Sequence, residues 1–115
     1  MASFKEKNKF ENRITESSRI KEKFPGRIPV IVERGPKSHV PLIDKNKFLV
    51  PGDLSIGQFI YIIRKRLTLS PETALFVYIS NVLPTTSTLM RELYAQYKDN
   101  DGFLYLSYTG ENTFG

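Results

Sequence analysis

The spacing of apolar residues along the chain predicts one well-defined helix and four strands. From Ile56 to Leu67 apolar residues recur every three or four positions, which is the pattern of a helix with one buried face. Ser55 is placed to cap this helix, and Gln58 three residues later completes a capping box. Runs rich in β-branched and aromatic residues predict strands over 27–33, 46–51, 75–79 and 103–108.

Three further helical segments are predicted from weaker patterns. Residues 3–24 are helical in composition, but their apolar stripe is sparse and consists of Phe10, Ile14, Ile20 and Phe24. A short turn of helix is expected over 70–73, with Ser70 as its cap. A longer helix is expected to begin at a cap formed by Thr86 or Ser87 and to end near residue 97.

The order of these elements predicts an α+β fold, a ubiquitin-like β-grasp with two strands, a core helix and two more strands. Bringing the last strand beside the first makes the four-stranded sheet mixed. Strand 27–33 is apolar on both faces, so the core helix is expected to cover one face and the N-terminal segment part of the other. The expected organisation is a helical extension (1–24), a core (25–108) and a flexible C-terminal tail (109–115).

Composition excludes several classes of chemistry. The 115 residues contain no cysteine, which rules out disulfides, thiolate metal sites and thiol nucleophiles. The single histidine, His39, lies in a predicted loop without a second ligand or a nucleophile, and no pair of carboxylates has the spacing for acid–base catalysis. Residues 99–101 resemble the start of a calcium loop, but the twelfth position is Gly110. We therefore predict a protein that is not an enzyme and that uses no metal or cofactor.

Positive charge is concentrated near the N-terminus. The net charge is +5, and residues 1–27 hold eight basic side chains against four glutamates. This segment suits an acidic partner, such as nucleic acid, anionic lipid or an acidic peptide, and equally a solvated helix surface. No apolar run is long enough to span a membrane, and the N-terminus lacks the apolar core of a signal peptide. The absence of cysteine suits a cytosolic protein.

Ile62 lies off the apolar stripe of the helix at 56–67. It points roughly 120° away from the centre of the stripe, and Arg66 lies one turn further along on the same side. One interpretation is a boundary isoleucine covered by the stem of the arginine. The other is a binding groove with Phe48, Val50 and Ile62 at its floor and Arg66 at its rim. The pattern alone leaves both open.

Three segments carry a family resemblance: RIPVIVE at 27–33, KFLVPGDLSIGQFIYIIRKRL at 47–67, and GFLYLSYTGENTFG at 102–115. They resemble the autophagy ubiquitin-like modifiers of the GABA-receptor-associated-protein type, and the similarity runs through essentially the whole chain. The resemblance implies a ubiquitin-like core preceded by two helices, here residues 3–8 and 10–23. It also implies that a processing cysteine protease exposes a C-terminal glycine, which E1-like and E2-like enzymes join to phosphatidylethanolamine.

The resemblance further implies two pockets for short aromatic-x-x-aliphatic motif peptides of autophagy receptors. The aromatic pocket comprises Glu16, Ile20, Pro29, Ile31, Lys47, Leu49 and Phe103. The aliphatic pocket comprises Phe48, Val50, Pro51, Leu54, Phe59, Ile62 and Arg66. Acidic residues flanking the motif are expected to meet Arg27, Lys45 and Lys47. The strand between the pockets is expected to be an edge strand, to which an extended peptide adds as another strand.

Gly115 is the residue implied for lipid conjugation, and the sequence corresponds to the processed form or to a gene that already ends on glycine. The protein is expected in the cytoplasm, on autophagosomal membranes when lipidated, and as a monomer in solution without a nucleic-acid partner. A second docking surface, for helical partners, is expected at 76–79. Two other functions remain open: a peptide-binding adaptor that is never conjugated, and a basic binder of polyanions or anionic lipid through residues 1–27.

Two positions depart from the family pattern. Lys9 stands where relatives often have proline, so the connection between the two N-terminal helices is expected to be straighter or more mobile. Phe48 stands where relatives often have tyrosine, which removes a hydroxyl from the rim of the aliphatic pocket.

Overall fold

A computed structural model describes residues 2–36 and 38–110. The helices in this part of the chain are α1 (Phe4–Lys7), α2 (Phe10–Lys23), α3 (Ile56–Leu67) and α4 (Met90–Tyr97). The strands are β1 (Arg27–Arg34), β2 (Lys47–Pro51), β3 (Phe76–Tyr78) and β4 (Leu104–Thr109). They form one sheet in the order β2-β1-β4-β3. Strand β1 pairs antiparallel with β2 and parallel with β4, so the predicted mixed four-stranded sheet is confirmed.

The larger core lies between the sheet and α3. Ser55 caps α3 as predicted: its hydroxyl accepts from the N–H of Gln58, whose side chain in turn accepts from the N–H of Ser55. The residues that α3 buries are Ile56, Phe59, Ile63 and Leu67. They pack against alternate residues of the sheet, such as Val30 of β1 and Leu104 and Leu106 of β4.

The opposite face of the sheet is covered by the N-terminal helices, with a smaller apolar cluster beneath them. Phe4 of α1 packs edge-to-face on Phe103, with ring centroids 5.3 Å apart, and Ile31 of β1 completes the cluster. Two separate helices are therefore present, as the resemblance implied. Lys9 in the connection has extended backbone and begins α2 as its N-cap.

The predicted apolar stripe of α2 is mostly on the outside. Phe10, Ile14 and Phe24 are 45%, 37% and 41% exposed, while Ile20 is half-buried beside the smaller cluster. The side chains that α2 buries are polar, Arg13 and Ser17. Arg13 and Ser17 lie on the same side of the helix as the predicted stripe, so what the pattern did not indicate is that polar side chains make the contact with the sheet.

A buried carboxylate explains this polar contact. Asp101 accepts from a guanidinium nitrogen of Arg13 at 3.2 Å and from the Tyr105 hydroxyl at 2.5 Å, and its main-chain oxygen accepts from the Ser17 hydroxyl. Burial raises the pKa of the Tyr105 phenol, and the hydrogen bond and negative charge of Asp101 raise it further. Gly102 has a φ of 89°, and a Cβ there would lie 2.3 Å from the Ser17 hydroxyl, so α2 needs glycine at this contact.

Two helix predictions were wrong at their boundaries. Residues 86–88 do not begin α4, because the carbonyls of Thr86 and Thr88 accept from the N–H groups at the start of α3. The helix starts at Met90, where Glu92 accepts from the N–H of Leu89 at 3.0 Å. The expected short helix at 70–73 is a single turn, since the guanidinium of Arg64 binds the carbonyls at both of its ends.

The strand predictions are accurate to one or two residues. Strand β3 is shorter than the predicted 75–79, and β4 is shifted by one residue relative to 103–108. Thr109, which was assigned to the tail, pairs with Phe76 and belongs to β4.

We predict that Asp101→Asn destabilises the protein by about 3–5 kcal/mol, because it leaves the buried guanidinium of Arg13 without its charge partner. Urea unfolding followed by circular dichroism measures this change.

The matched control is Asp99→Asn. Asp99 pairs with Lys5 at 2.6 Å, but both side chains are partly exposed, so the loss is expected to stay below about 1 kcal/mol. Equal destabilisation by the two substitutions would contradict the conclusion that Asp101 holds α2 against the sheet through its bonds to Arg13 and Ser17.

Candidate functional site

Strand β2 is an edge of the sheet, paired on one side only. The N–H of Gly52 donates to Gly26 O and the N–H of Val32 donates to Asn46 O, so in this register Phe48 and Val50 direct their backbone groups toward β1. Lys47 and Leu49 direct theirs away from the sheet. The Leu49 carbonyl already accepts from the Arg27 guanidinium at 3.2 Å. The remaining outward groups form an edge that an extended chain can extend by β-pairing.

Side chains along β2 alternate between the two faces of the sheet. Phe48 and Val50 point toward α3 and are buried, whereas Lys47 and Leu49 point toward the N-terminal helices and are half-exposed. The two predicted pockets therefore lie on opposite faces, one on each side of the same edge. In an added strand, residues i and i+3 also point to opposite faces. An aromatic-x-x-aliphatic spacing matches this arrangement.

The residues assigned to the aromatic pocket come together on the face of the N-terminal helices. Pro29, Ile31 and Phe103 are buried and form its floor. The half-exposed members that surround the floor are Glu16, Ile20, Lys47 and Leu49.

Two contacts at this pocket were not found from the sequence. Lys47 forms an ion pair with Glu16, so this predicted contact for acidic flanks already has a carboxylate partner. Phe4 is buried against Phe103, and its ring lies 5.7 Å from the Lys47 ammonium group. Phe4 alone in a short charged segment gave no periodic signal, although an isolated phenylalanine after the capping Ser3 was the available clue.

The residues assigned to the aliphatic pocket are divided between the core and the surface. Phe48, Val50 and Phe59 belong to the core, and the rings of Phe48 and Phe59 meet edge-to-face at 5.3 Å. The members available for contact are the half-exposed Leu54 and the exposed Pro51, Ile62 and Arg66.

Ile62 is 40% exposed and lies one helical turn from both Phe59 and Arg66, each of which reaches the Phe48 ring. It also borders a shallow depression of about 610 Å³ on the outer side of α3, whose other lining residues include Gln58, Tyr61 and Thr86. Ile62 is therefore a surface residue, and the other lining residues of this depression are not those of the predicted groove.

Basic groups surround the aliphatic pocket. The Lys45 ammonium group lies 5.1 Å and the Arg66 guanidinium carbon 5.9 Å from the centre of the Phe48 ring. Arg66 donates from Nε to Asp44 at 2.9 Å. A ligand that brings carboxylates to this end of β2 finds positive charge there.

Other expected features are placed as follows. The segment 76–79, expected to form a second docking surface, has Phe76 half-buried and residues 77–79 buried, and Tyr78 borders a separate cavity of about 560 Å³. Gly115 lies outside the described residues. Within residues 2–36 and 38–110, no three His, Asp or Glu side chains are grouped to hold a metal ion. In the same part of the chain no helix has the length and apolar character needed to cross a membrane.

Comparison with known proteins identifies the family. Residues 12–115 match the family model described as autophagy protein Atg8, ubiquitin-like. Autophagy-related protein 8d of Arabidopsis thaliana is 56% identical over 115 residues, covering 100% of this chain and 96% of the relative. Autophagy-related protein 8 of Mycosarcoma maydis is 54% identical, with 99% and 97% covered. The chain belongs to the Atg8 family of ubiquitin-like autophagy proteins.

Solved Atg8 structures share the fold of this chain. The crystal structure of Trypanosoma brucei ATG8 aligns with a TM-score of 0.91 at 43% identity and covers 100% of this chain and 99% of that one. Plasmodium falciparum Atg8, solved in complex with a Plasmodium falciparum Atg3 peptide, aligns with a TM-score of 0.91 at 39% identity, with 97% and 98% covered. The predicted ubiquitin-like fold and the family resemblance are both confirmed.

Proposed function

We propose that this Atg8-family protein is a ubiquitin-like modifier that is conjugated through Gly115 to phosphatidylethanolamine. In this role it acts in autophagosome formation and recruits receptors that carry aromatic-x-x-aliphatic motifs. The observation that carries the receptor-binding part is the β2 edge, which is paired on one side only and whose side chains alternate between the two faces of the sheet. The protein is proposed to act by binding and conjugation and not as an enzyme, as a monomer in the cytoplasm and on autophagosomal membranes when lipidated.

Peptide binding is supported by the geometry of β2. A peptide strand paired with the outward groups of Lys47 and Leu49 places its aromatic residue over Pro29, Ile31 and Phe103. Its aliphatic residue, three positions away, reaches the opposite face beside Leu54 and Ile62. The Arg27 side chain must then release the Leu49 carbonyl, which frees its guanidinium for an acidic flank of the peptide.

Conjugation is supported by family membership and by the Plasmodium falciparum Atg8 structure, which holds an Atg3 peptide. We propose that this chain likewise binds an E2-like enzyme of its own conjugation pathway, together with an E1-like enzyme and a processing cysteine protease. Residues after β4 are proposed to serve as the conjugation tail, in which a terminal residue without Cβ fits a narrow catalytic cleft.

We predict that Leu49→Ala and Ile62→Ala each weaken a synthetic aromatic-x-x-aliphatic peptide by about 1–3 kcal/mol, because each removes apolar contact from one pocket. Isothermal titration calorimetry measures the affinities. Phe48 is unsuitable for this test, since truncating a buried ring that packs on Phe59 also destabilises the fold.

The matched control is Val82→Ala, which shortens an exposed aliphatic side chain beyond β3, at the far edge of the sheet from β2. It is expected to leave peptide affinity unchanged. Unaltered binding by both groove variants would exclude this edge as the receptor site.

We predict that Gly115→Ala prevents formation of the phosphatidylethanolamine adduct, because the added methyl group obstructs processing and transfer at the terminal residue. Intact mass measurement of the protein recovered from membranes of starved cells detects the adduct. Peptide affinity of the variant in vitro is expected to stay at the wild-type value.

Intact mass measurement together with binding assays separates the competing functions. A wild-type protein recovered from membranes without a lipid adduct would indicate a peptide-binding adaptor that is not conjugated. A protein that binds polyanions or anionic vesicles with strong salt dependence but binds no motif peptide would indicate a basic surface binder acting through residues 1–27.

A further inference from the structure

Asp44 forms an ion pair with one of the cations at the aliphatic end of the groove. Its carboxylate accepts from Arg66 Nε at 2.9 Å, and the guanidinium group of Arg66 lies against the Phe48 ring. Lys45, next in sequence, lies against the same ring. Among the residues that the structure describes, no carboxylate is within ion-pair distance of Lys45. The two cations beside one ring therefore differ in that only Arg66 has an internal partner.

This ion pair is easily exchanged. The side chains of Asp44 and Arg66 are 71% and 40% exposed, and pairs exposed to this degree contribute little to stability. A carboxylate of a bound peptide can replace Asp44 without a large loss of folding free energy. While Asp44 is in place, its negative charge opposes the attraction between Arg66 and an acidic ligand.

The geometry of the pair also limits how Arg66 can be used. A guanidinium group binds a carboxylate most strongly through two parallel N–H donors, and one such pair of donors includes Nε. Asp44 occupies Nε, so an incoming carboxylate finds only the terminal nitrogens free. Compared with an unpaired arginine, Arg66 therefore attracts an acidic peptide less strongly and offers its carboxylates fewer pairs of N–H donors.

We propose that Asp44 is an internal competitor for Arg66 and lowers the preference of the groove for peptides with acidic flanks. This inference rests on the proposed peptide-binding function and adds a specificity-determining residue to it. Lys45 makes the first contact with an acidic flank, and Arg66 contributes only to ligands acidic enough to displace Asp44. Neutral-flanked peptides are unaffected by the ion pair.

Two synthetic peptides with one aromatic-x-x-aliphatic core test the proposal, one flanked on both sides by glutamate and the other by glutamine. Asp44→Asn keeps the size of the side chain and removes its charge. We expect it to tighten the glutamate-flanked peptide about two- to fivefold and to leave the glutamine-flanked peptide unchanged. The gain is expected to shrink in high salt and to disappear in the Asp44→Asn/Arg66→Gln double variant.

The matched control is Glu72→Gln, which removes one negative charge from an exposed turn after α3. It is expected to change neither affinity, so a general effect of net charge is separated from the local one. Weaker or unchanged binding of the glutamate-flanked peptide to Asp44→Asn would overturn the proposal, as would a gain that persists when Arg66 is replaced. If the wild-type protein binds neither peptide, the proposed groove itself is excluded.

Discussion

The burial of β1 on both faces is the constraint on which the rest of the structure depends. This strand lies between β2 and β4, and all of its residues from Ile28 to Val32 are buried. One helix can cover only one face of a sheet, so a second layer is required on the other. Helix α3 provides the first layer, and α1 and α2 provide the second. Strand β1 pairs with β4 on the side opposite β2, so β2 has a single partner and forms an edge of the sheet.

The second layer is attached by polar contacts more than by apolar ones. Arg13 and Ser17 of α2 reach Asp101, and Phe4 of α1 supplies the main apolar contact. Buried hydrogen-bonded charges fix one orientation strongly, because a misplaced helix leaves an unpaired charge in a nonpolar environment. This fixed orientation brings Glu16 and Ile20 beside Lys47 and Leu49, so the rim of one pocket depends on the polar cluster beneath α2.

The sequence predicted the parts of the fold that follow from local periodicity. The prediction was correct for the cap and apolar face of α3, for the four strands and for the mixed sheet. The local features depend on residues close together in sequence, and the sheet arrangement follows from the apolar character of β1 on both faces. The polar contact of α2 was not predicted, because it depends on Asp101, which is distant in sequence. The start of α4 was missed for a similar reason, since Thr86 and Thr88 are held by bonds to α3.

The family resemblance named the candidate residues on both sides of β2, and the structure shows how far each of them is exposed. The resemblance could not indicate that Lys47 and Arg66 each have a carboxylate partner within the chain. It also could not indicate that Phe4 packs beside the residues of the proposed aromatic pocket. These features depend on side-chain distances between segments that are far apart in the sequence.

The pockets share their floors with the hydrophobic core. Ile31 and Phe103 lie beneath the proposed aromatic pocket, and Phe48 and Phe59 lie beneath the proposed aliphatic pocket. All four are buried. Core packing already holds these side chains in place, which lowers the entropic cost of ordering the proposed site. The same arrangement limits how far the floor can vary, because a substitution there changes the core as well as the pocket. Selectivity of the proposed site is accordingly easier to adjust at the exposed rim, where Lys45, Asp44 and Arg66 contribute charge.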